Sequence, residues 1–185
     1  MSWKEAATYL LEGGILVYPT DTVWGVGCRA DWPETVVKCL RLKGESRHMT
    51  CSVIVPQDRI SQYVAVPQGL DLSPFFPGPY TLIFPLIDAR LTPIAGPGPS
   101  LGCRVPALAV LNQMVQNVGV PILTTSVNDS GNPPAQTAAQ ARDWAQQKGI
   151  ACVASEFSGS KASSVLRWHE GDWQVIRGCL PEKGQ

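Results

Sequence analysis

The feature that most constrains the fold is a repeated alternation of short apolar segments with amphipathic ones along the whole chain. Ser2 and Glu5 form a capping box that predicts a first helix, and Gly13 supplies its left-handed end. The apolar run at 15–18 follows at once and predicts a buried strand. Further strands are predicted at 51–55, 80–86, 120–125, 150–154, 164–168 and 173–177. Strands that alternate with helices indicate an α/β protein.

The ends of the other predicted helices follow from their capping residues. Asp31 with Glu34 predicts a second capping box, with Pro33 in the first turn and the helix end near Lys43 and Gly44. Pro106 predicts the start of a third helix that ends before Gly119, and Thr137 caps a fourth that ends near residue 148.

The last two predicted strands form a hairpin, so the sheet is expected to be mixed rather than purely parallel. Pro85 predicts that strand 80–86 lies at an edge or carries a bulge, and segment 91–102, rich in Pro and Gly, predicts a loop. No internal repeat or linker divides the chain. We therefore expect one domain over residues 1–185, with helices packed on the faces of a twisted mixed sheet.

Composition narrows the classes of function. The 15 basic and 15 acidic residues balance, so no global positive field attracts nucleic acid and any RNA contact must be local. The apolar runs fall far short of the ~18 residues that cross a bilayer. The six cysteines lack a C-x-x-C pair and only two histidines accompany them, so we predict no metal site. Reduced thiols and the absence of a leader-like start favour a cytoplasmic protein.

Polar residues follow the first predicted strand. Thr20 and Thr22 offer hydroxyls, while Gly25 and Gly27 permit close approach of a ligand to the backbone. Strand ends are preferred ligand sites in α/β sheets. The alternative is a tight connection whose threonines bind their own backbone.

Basic residues cluster at the end of the second predicted helix. The ammonium of Lys43 and the guanidinium of Arg47 can converge on phosphate oxygens, or they can simply form a solvated basic face. The chain has no Walker-type phosphate loop, so any nucleotide must be held by another scaffold.

Three further segments carry polar groups at predicted strand ends. Arg104 lies between apolar residues, where a carboxylate of either a ligand or the protein would pair with it. Segment 124–134 is dense in hydroxyls and amides, although local turns would explain several of them. Ser163 and Arg177 flank the last hairpin. Segment 76–81 is most simply a rigid turn before a strand.

In this order, the segments closely resemble the YrdC/TsaC family over about residues 6–178. The matching motifs are P-T-x-T-x-aromatic-G at 19–25, P-G-P-x-T at 77–81, R-x-P at 104–106 and S-x-N-x-S-G at 126–131. The family's S-T-I element is altered to Ser163-Ser164-Val165. The resemblance implies a YrdC-like fold with a concave central cleft.

The resemblance also implies an activity. The family joins L-threonine, bicarbonate and ATP, the last with Mg²⁺, into threonylcarbamoyl-AMP and pyrophosphate, for modification of tRNA next to the anticodon. A TsaD-type transfer complex would receive the product. By position in the motifs, the threonine contacts would be Thr22, Arg104, Thr124 and Ser163. The ATP contacts would be Lys43, Arg47, Ser126, Asn128 and Arg177, with Lys43 and Arg47 as the catalytic pair.

The chain departs from the family at one place. Many members carry K-x-R-P, whereas this chain has Glu45 where that arginine would fall, and Arg47 is the residue expected to replace it. A YciO-like RNA-binding or nucleotide-binding module without synthase activity is the alternative that would explain the change. A carbamoyl-transfer module of a hydrogenase-maturation protein has the same fold but belongs to a larger chain.

Overall fold

Helices surround a single sheet in the computed structural model, which describes residues 1–44, 51–96, 98–155 and 161–182. The helices are α1 (Trp3–Leu11), α2 (Pro33–Leu42), α3 (Ala109–Val118) and α4 (Ala138–Lys148), with 3₁₀ helices at Gln57–Gln62 and Ala89–Ile94. The strands are β1 (Leu16–Tyr18), β2 (Gly25–Gly27), β3 (Ser52–Ile54), β4 (Tyr80–Pro85), β5 (Ser100–Arg104), β6 (Ile122–Ser126), β7 (Ala151–Cys152), β8 (Ser164–His169) and β9 (Asp172–Arg177). Within these ranges, no helix combines the length and the apolar character needed to cross a membrane.

The capping predictions for α1 and α4 are confirmed. The Ser2 hydroxyl accepts a hydrogen bond from the Glu5 amide at 3.3 Å, and the Glu5 carboxylate accepts one from the Ser2 amide in return. The hydroxyl of Thr137 caps α4 in the same way, through Gln140. These caps satisfy amide groups that the helix leaves without partners.

The predicted capping box of α2 is wrong. Trp32 is the N-cap, and its side chain makes no capping hydrogen bond. The carboxylate of Asp31 instead forms a two-pronged ion pair with the guanidinium of Arg29, at 2.9 and 2.7 Å. This bidentate pair joins two ionised groups, whereas a cap would pair the carboxylate with uncharged backbone N–H groups. The predicted roles of Pro33 at the start and Gly44 at the end are confirmed.

The predicted start of α3 at Pro106 is also wrong, because the helix begins at Ala109. The segment before it is held in a non-helical conformation by distant groups. The Val105 carbonyl accepts a hydrogen bond from the Gly78 amide, and the Ala107 amide donates to the Asp21 carboxylate. Gly119 ends the helix in the left-handed conformation, as predicted.

The nine strands form one mixed sheet in the order β7-β1-β2-β6-β3-β5-β4-β8-β9, which confirms the predicted mixed architecture. The pairs β1 with β7, β3 with β5 and β4 with β8 are parallel, and the remaining pairs are antiparallel. Strands β8 and β9 form the predicted hairpin. Most neighbours in the sheet are far apart in sequence.

Two strand predictions need correction. Strand β4 lies between β5 and β8, so it is not the edge strand that Pro85 suggested. Pro85 is tolerated because it is the last residue of the strand and the pairing with β8 stops at Ile83. The predicted loop over 91–102 contains part of a 3₁₀ helix and the start of β5. Pairing on both sides, with β3 and β4, makes β5 a strand despite its glycine.

Two hydrophobic layers cover the sheet. Helices α1 and α3 pack on one face over Leu16, Tyr18, Ile54 and Ile122, and the core that includes α2 and α4 lies on the other. Side chains two positions apart on a strand share a face. Ser52 and Thr124 therefore share the α1/α3 face with Ile54 and Ile122, but they line an open cavity. The polar surface begins where the α1/α3 layer ends.

Candidate active site

A cavity of about 370 Å³ lies on the face of the sheet beyond α1 and α3. Its floor contains a row of paired residues from four neighbouring strands, namely Thr124, Ser52, Gly102 and Ile83. A Cβ atom on Gly102 would lie 3.0 Å from the methyl group of Thr81, and glycine at this position keeps the floor low. Small residues in the middle of the sheet therefore create the space that the α1/α3 layer leaves open.

The loop after β1 supplies one wall of this cavity. The Thr20 hydroxyl donates to the Val23 carbonyl at 2.7 Å and lies 2.9 Å from the Thr22 hydroxyl. The hydroxyl proton of Thr20 is used in the bond to the Val23 carbonyl, so the Thr22 hydroxyl must donate to the Thr20 oxygen. The lone pairs of the Thr22 oxygen therefore stay available to other donors. One of these donors is the guanidinium of Arg104, at 2.9 Å. Thr20 thus supports its own loop, whereas Thr22 orients a cation in the cavity wall.

Arg104 is almost fully buried at the end of β5 and lines the cavity. Its Nη2 donates to the carboxylate of Asp21 at 3.0 Å as well as to Thr22. Burial lowers the pKa of Arg104, and Asp21 partly offsets that effect. Burial also raises the pKa of Asp21, against the lowering effect of Arg104. Of the two partners that the sequence allowed for Arg104, a ligand carboxylate or a protein carboxylate, the protein carboxylate is present as Asp21.

Asp21 positions a residue of the site, although the sequence motifs did not identify it. It holds the Arg104 guanidinium with one oxygen and the Ala107 amide with the other, at 2.9 Å. It thereby fixes the loop after β1 against the segment after β5. Its position between two threonines at a strand end was the available signal, but only the fold shows that it faces Arg104.

The opposite end of the cavity is formed by α2 and the loop after β6. The ammonium of Lys43, which is 3% exposed, donates to the Thr125 hydroxyl at 2.7 Å. The Ser126 hydroxyl donates to the side-chain carbonyl of Asn128, whose amide in turn donates to the carbonyls of Asp129 and Asn132. The Ser130 amide donates to the Lys43 carbonyl at 2.8 Å and ties this loop to the end of α2.

The hairpin supplies the remaining wall. The Ser163 hydroxyl lies 2.9 Å from the Thr81 hydroxyl. The backbone carbonyl of Ser163 accepts two hydrogen bonds from the Arg177 guanidinium, at 2.9 and 3.1 Å. Arg177 therefore bridges from β9 to the segment before β8. Thr81, read from sequence as part of a structural turn, is a lining residue.

The structure brings together all the predicted site residues that it describes. Those lining the cavity are Thr22, Lys43, Arg104, Thr124, Ser126, Asn128, Ser163 and Arg177. Arg47 and Glu45 lie outside the described residues. Four further polar residues also line the cavity, namely Thr20, Ser52, Thr81 and Thr125. Ser52 could have been found from the sequence, because a serine inside the apolar segment 51–55 is a polar group in a predicted strand. In the described part of the lining, the charged side chains are all cations.

The pairing of Asp21 with Arg104 predicts a strong coupling in stability. Asp21→Asn leaves a buried guanidinium with a neutral partner, and we expect a loss of about 3 kcal/mol in the free energy of unfolding. Arg104→Met should cost a similar amount, while the double variant should cost clearly less than the sum, because it removes both buried charges. Denaturant unfolding of the four proteins measures this coupling. Additive losses would show that the pair does not act as a unit.

Comparison with known proteins agrees with this architecture. The model of the Sua5/YciO/YrdC family, described as telomere recombination, matches residues 8–178. The threonylcarbamoyl-AMP synthase of Vibrio parahaemolyticus is 29% identical over 174 residues, which cover 90% of this chain and 93% of that protein.

Solved structures share the fold. P. abyssi Sua5 in complex with L-threonine superposes with a TM-score of 0.83 at 23% identity, over 95% of this chain. This chain spans only 53% of the length of that protein. E. coli YciO superposes with a TM-score of 0.82 at 19% identity, over 95% of this chain and 87% of its own. The match to the family covers both the polar cavity and the sheet that builds it, so the chain belongs to the Sua5/YciO/YrdC family.

Proposed function

We propose that this protein is a threonylcarbamoyl-AMP synthase that uses L-threonine, bicarbonate and ATP. The observation that carries the proposal is the meeting, in one cavity, of a buried arginine framed by hydroxyls with a separate group of cationic and amide side chains. Curated relatives of nearly the same length carry this activity in their names.

The hydroxyl-rich part of the cavity suits threonine. Arg104 is positioned by Asp21 and Thr22 and would pair with the amino acid's carboxylate. Thr22, Thr124 and Ser163 would contact its hydroxyl and amine. Burial excludes water from this corner, which strengthens each charge-assisted hydrogen bond.

The other end suits the phosphates of ATP. Lys43 supplies a nearly buried positive charge, and Ser126 and Asn128 add hydroxyl and amide groups on the same loop. Arg177 would contact the nucleotide from the hairpin side, between phosphate and ribose. Arg47 is proposed as a further phosphate contact on sequence grounds alone.

The oxygens at this end fit a Mg²⁺ ion that arrives with ATP. The described lining offers hydroxyl and amide oxygens and lacks carboxylates, so phosphate oxygens and water would supply most ligands, as Mg²⁺ prefers. Ser126 and Asn128 are the side chains that would hold the complex. When bound, Mg²⁺ neutralises charge that develops on the leaving pyrophosphate.

The proposed reaction has two balanced steps. The threonine amine attacks bicarbonate, and a carbamate forms with loss of water. A carbamate oxygen then attacks the α-phosphorus of ATP, and the bond to the bridging oxygen breaks to release pyrophosphate. The carbamate is already a nucleophile, so the site has mainly to align the reactants and to stabilise phosphate charge. Arg104 would align the threonine, and Lys43 would stabilise the phosphate charge.

The product would serve tRNA modification in the cytoplasm through a TsaD-type transfer complex. This part of the proposal depends on family membership. The balanced charge of the chain favours local contact with RNA rather than binding of tRNA by a general positive field.

A pyrophosphate-release assay tests the function. The purified protein with ATP, Mg²⁺ and bicarbonate should release pyrophosphate when L-threonine is added and should form a threonylcarbamoyl-adenylate detectable by mass spectrometry. L-Valine, which replaces the hydroxyl by a methyl group, is the matched control and should give little release, since a site that binds a hydroxyl rejects the analogue without it. No release above the control without threonine would favour the YciO-like binding module instead.

A further inference from the structure

Arg167 lies on β8 beside the cavity, and nothing in the description of the site so far uses it. The side chain is half-buried, and its Nε is shielded from solvent without a hydrogen-bond partner. Across the described parts of the chain, no carboxylate forms an ion pair with it. An arginine that is partly removed from water without a partner costs free energy, and a ligand that pairs with it would recover that cost.

The position of Arg167 in the sheet places it on the cavity face. Val165 lines the cavity, and Leu166, the next residue, is buried in the core on the opposite face. Arg167 therefore shares the face of Val165. It also pairs directly with Ile83, which lines the cavity from β4. Arg167 thus continues the row of residues that forms the cavity floor.

The two ends of the cavity differ in chemistry. Lys43, Ser126 and Asn128 form a polar, cationic end at α2 and β6. The end at β4 and β8 has Thr81, Ser163 and Arg177 in its walls, but its floor presents the aliphatic side chains of Ile83 and Val165, with Arg167 beside Ile83. An aliphatic floor beside a planar guanidinium suits an aromatic ring better than a chain of phosphates.

In the proposed reaction, the α-phosphorus of ATP must lie beside the threonine carbamate. The two parts of the nucleotide therefore extend from this atom in different directions. One direction leads to the pyrophosphate portion, and the other leads to ribose and base. The end at Lys43 suits the first. Ribose would then pass Arg177, which pairs with Val165, and the base would reach the row that contains Ile83 and Arg167.

We propose that Arg167 binds the nucleobase of ATP over the floor formed by Ile83 and Val165. This inference rests on the proposed function for the identity of the nucleotide. The guanidinium plane would stack on the face of the base in a cation–π contact. The residue contributes to nucleoside binding and makes no contact with the reacting atoms.

Calorimetric binding of AMP, ATP and inorganic tripolyphosphate to Arg167→Ala and Arg167→Lys tests the proposal. We expect AMP and ATP to bind about tenfold more weakly to both variants, because lysine keeps the charge but lacks the planar group. Tripolyphosphate should bind as it does to the wild-type protein, which also shows that the variants are folded. Arg90→Ala is the control, since this arginine is 64% exposed and pairs with Asp88 away from the cavity.

Other results would overturn the inference. Weaker tripolyphosphate binding with unchanged AMP binding would make Arg167 a phosphate contact. Full recovery of AMP binding by lysine would show attraction by charge alone. No change in any affinity, or no AMP binding by the wild-type protein, would also overturn it. Threonine-dependent pyrophosphate release by the wild-type protein, measured in parallel, tests the proposed function separately from these affinities.

Discussion

Arg104→Met is expected to lower kcat/KM for L-threonine by about 10²–10⁴-fold while ATP binding stays close to that of the wild-type protein. The guanidinium would form charge-assisted hydrogen bonds with the threonine carboxylate, each worth about 1.5–3 kcal/mol. Loss of two such bonds corresponds to this range, since each 1.4 kcal/mol is a factor of ten. Methionine keeps much of the side chain's volume. Threonine-dependent pyrophosphate release at varied threonine concentration measures the effect.

The stability of the same variant should depend on pH in a defined direction. Without Arg104, the group that lowers the pKa of Asp21 is gone, and burial then raises that pKa further above its value in the unfolded chain. A raised carboxyl pKa favours folding while the group is protonated, and the contribution is lost as pH rises through the folded-state pKa. The deficit of Arg104→Met relative to the wild-type protein should therefore be smaller at pH 5 than at pH 8.

Asp21 provides the control for this substitution. The double variant Asp21→Asn with Arg104→Met should recover most of the lost stability, and its deficit should be nearly independent of pH, because no buried carboxyl remains at this position. It should not recover threonine dependence, because the cation is still absent. A folded double variant with wild-type kcat/KM for threonine would remove Arg104 from the proposed substrate site.

Lys43→Met is expected to lower kcat for pyrophosphate release by about 10²–10³-fold, the range found when one group that stabilises transition-state charge is removed. Lys43 is nearly buried at the end of α2 and is held by the Thr125 hydroxyl beside Ser126. Its charge acts in a site with little water, where electrostatic interactions are strongest. Single-turnover release of pyrophosphate at saturating ATP and threonine separates this effect from binding.

Lys38→Met is the matched control for Lys43, because Lys38 is an exposed lysine on the same helix. It should retain wild-type kcat at moderate salt. Equal losses in the two variants would show that the helix acts through its general positive charge. A Lys43→Met variant with unchanged kcat would leave the phosphates to other groups and would contradict the assignment.

Local sequence predicted much of the secondary structure, because helix caps and apolar periodicity act over a few residues. Ser2 with Glu5 and Thr137 with Gln140 mark helix starts that the structure confirms. Local signals failed where another group, near or distant in the sequence, competed with them. Asp31 pairs with Arg29 instead of capping α2, and Asp21 holds the segment in which Pro106 was expected to start α3.

The candidate site shows the same division. Motifs in sequence order identified Thr22, Arg104 and the other cavity residues as polar groups at strand ends. The partners of these residues did not follow from the motifs. Asp21 and Arg104 are 83 positions apart in the chain, so no local sequence pattern predicts their contact.

The sequence by itself determined the α/β class, most helix ends and the polar segments, because propensity, capping and binary patterning are local properties of the chain. The tertiary structure alone decided which strands are neighbours and in what register. That order places Thr124, Ser52, Gly102, Ile83 and Arg167 in one row across five strands, although each comes from a different segment. Strand pairing depends on contacts between distant segments, and a shift of one residue would turn this row to the opposite face.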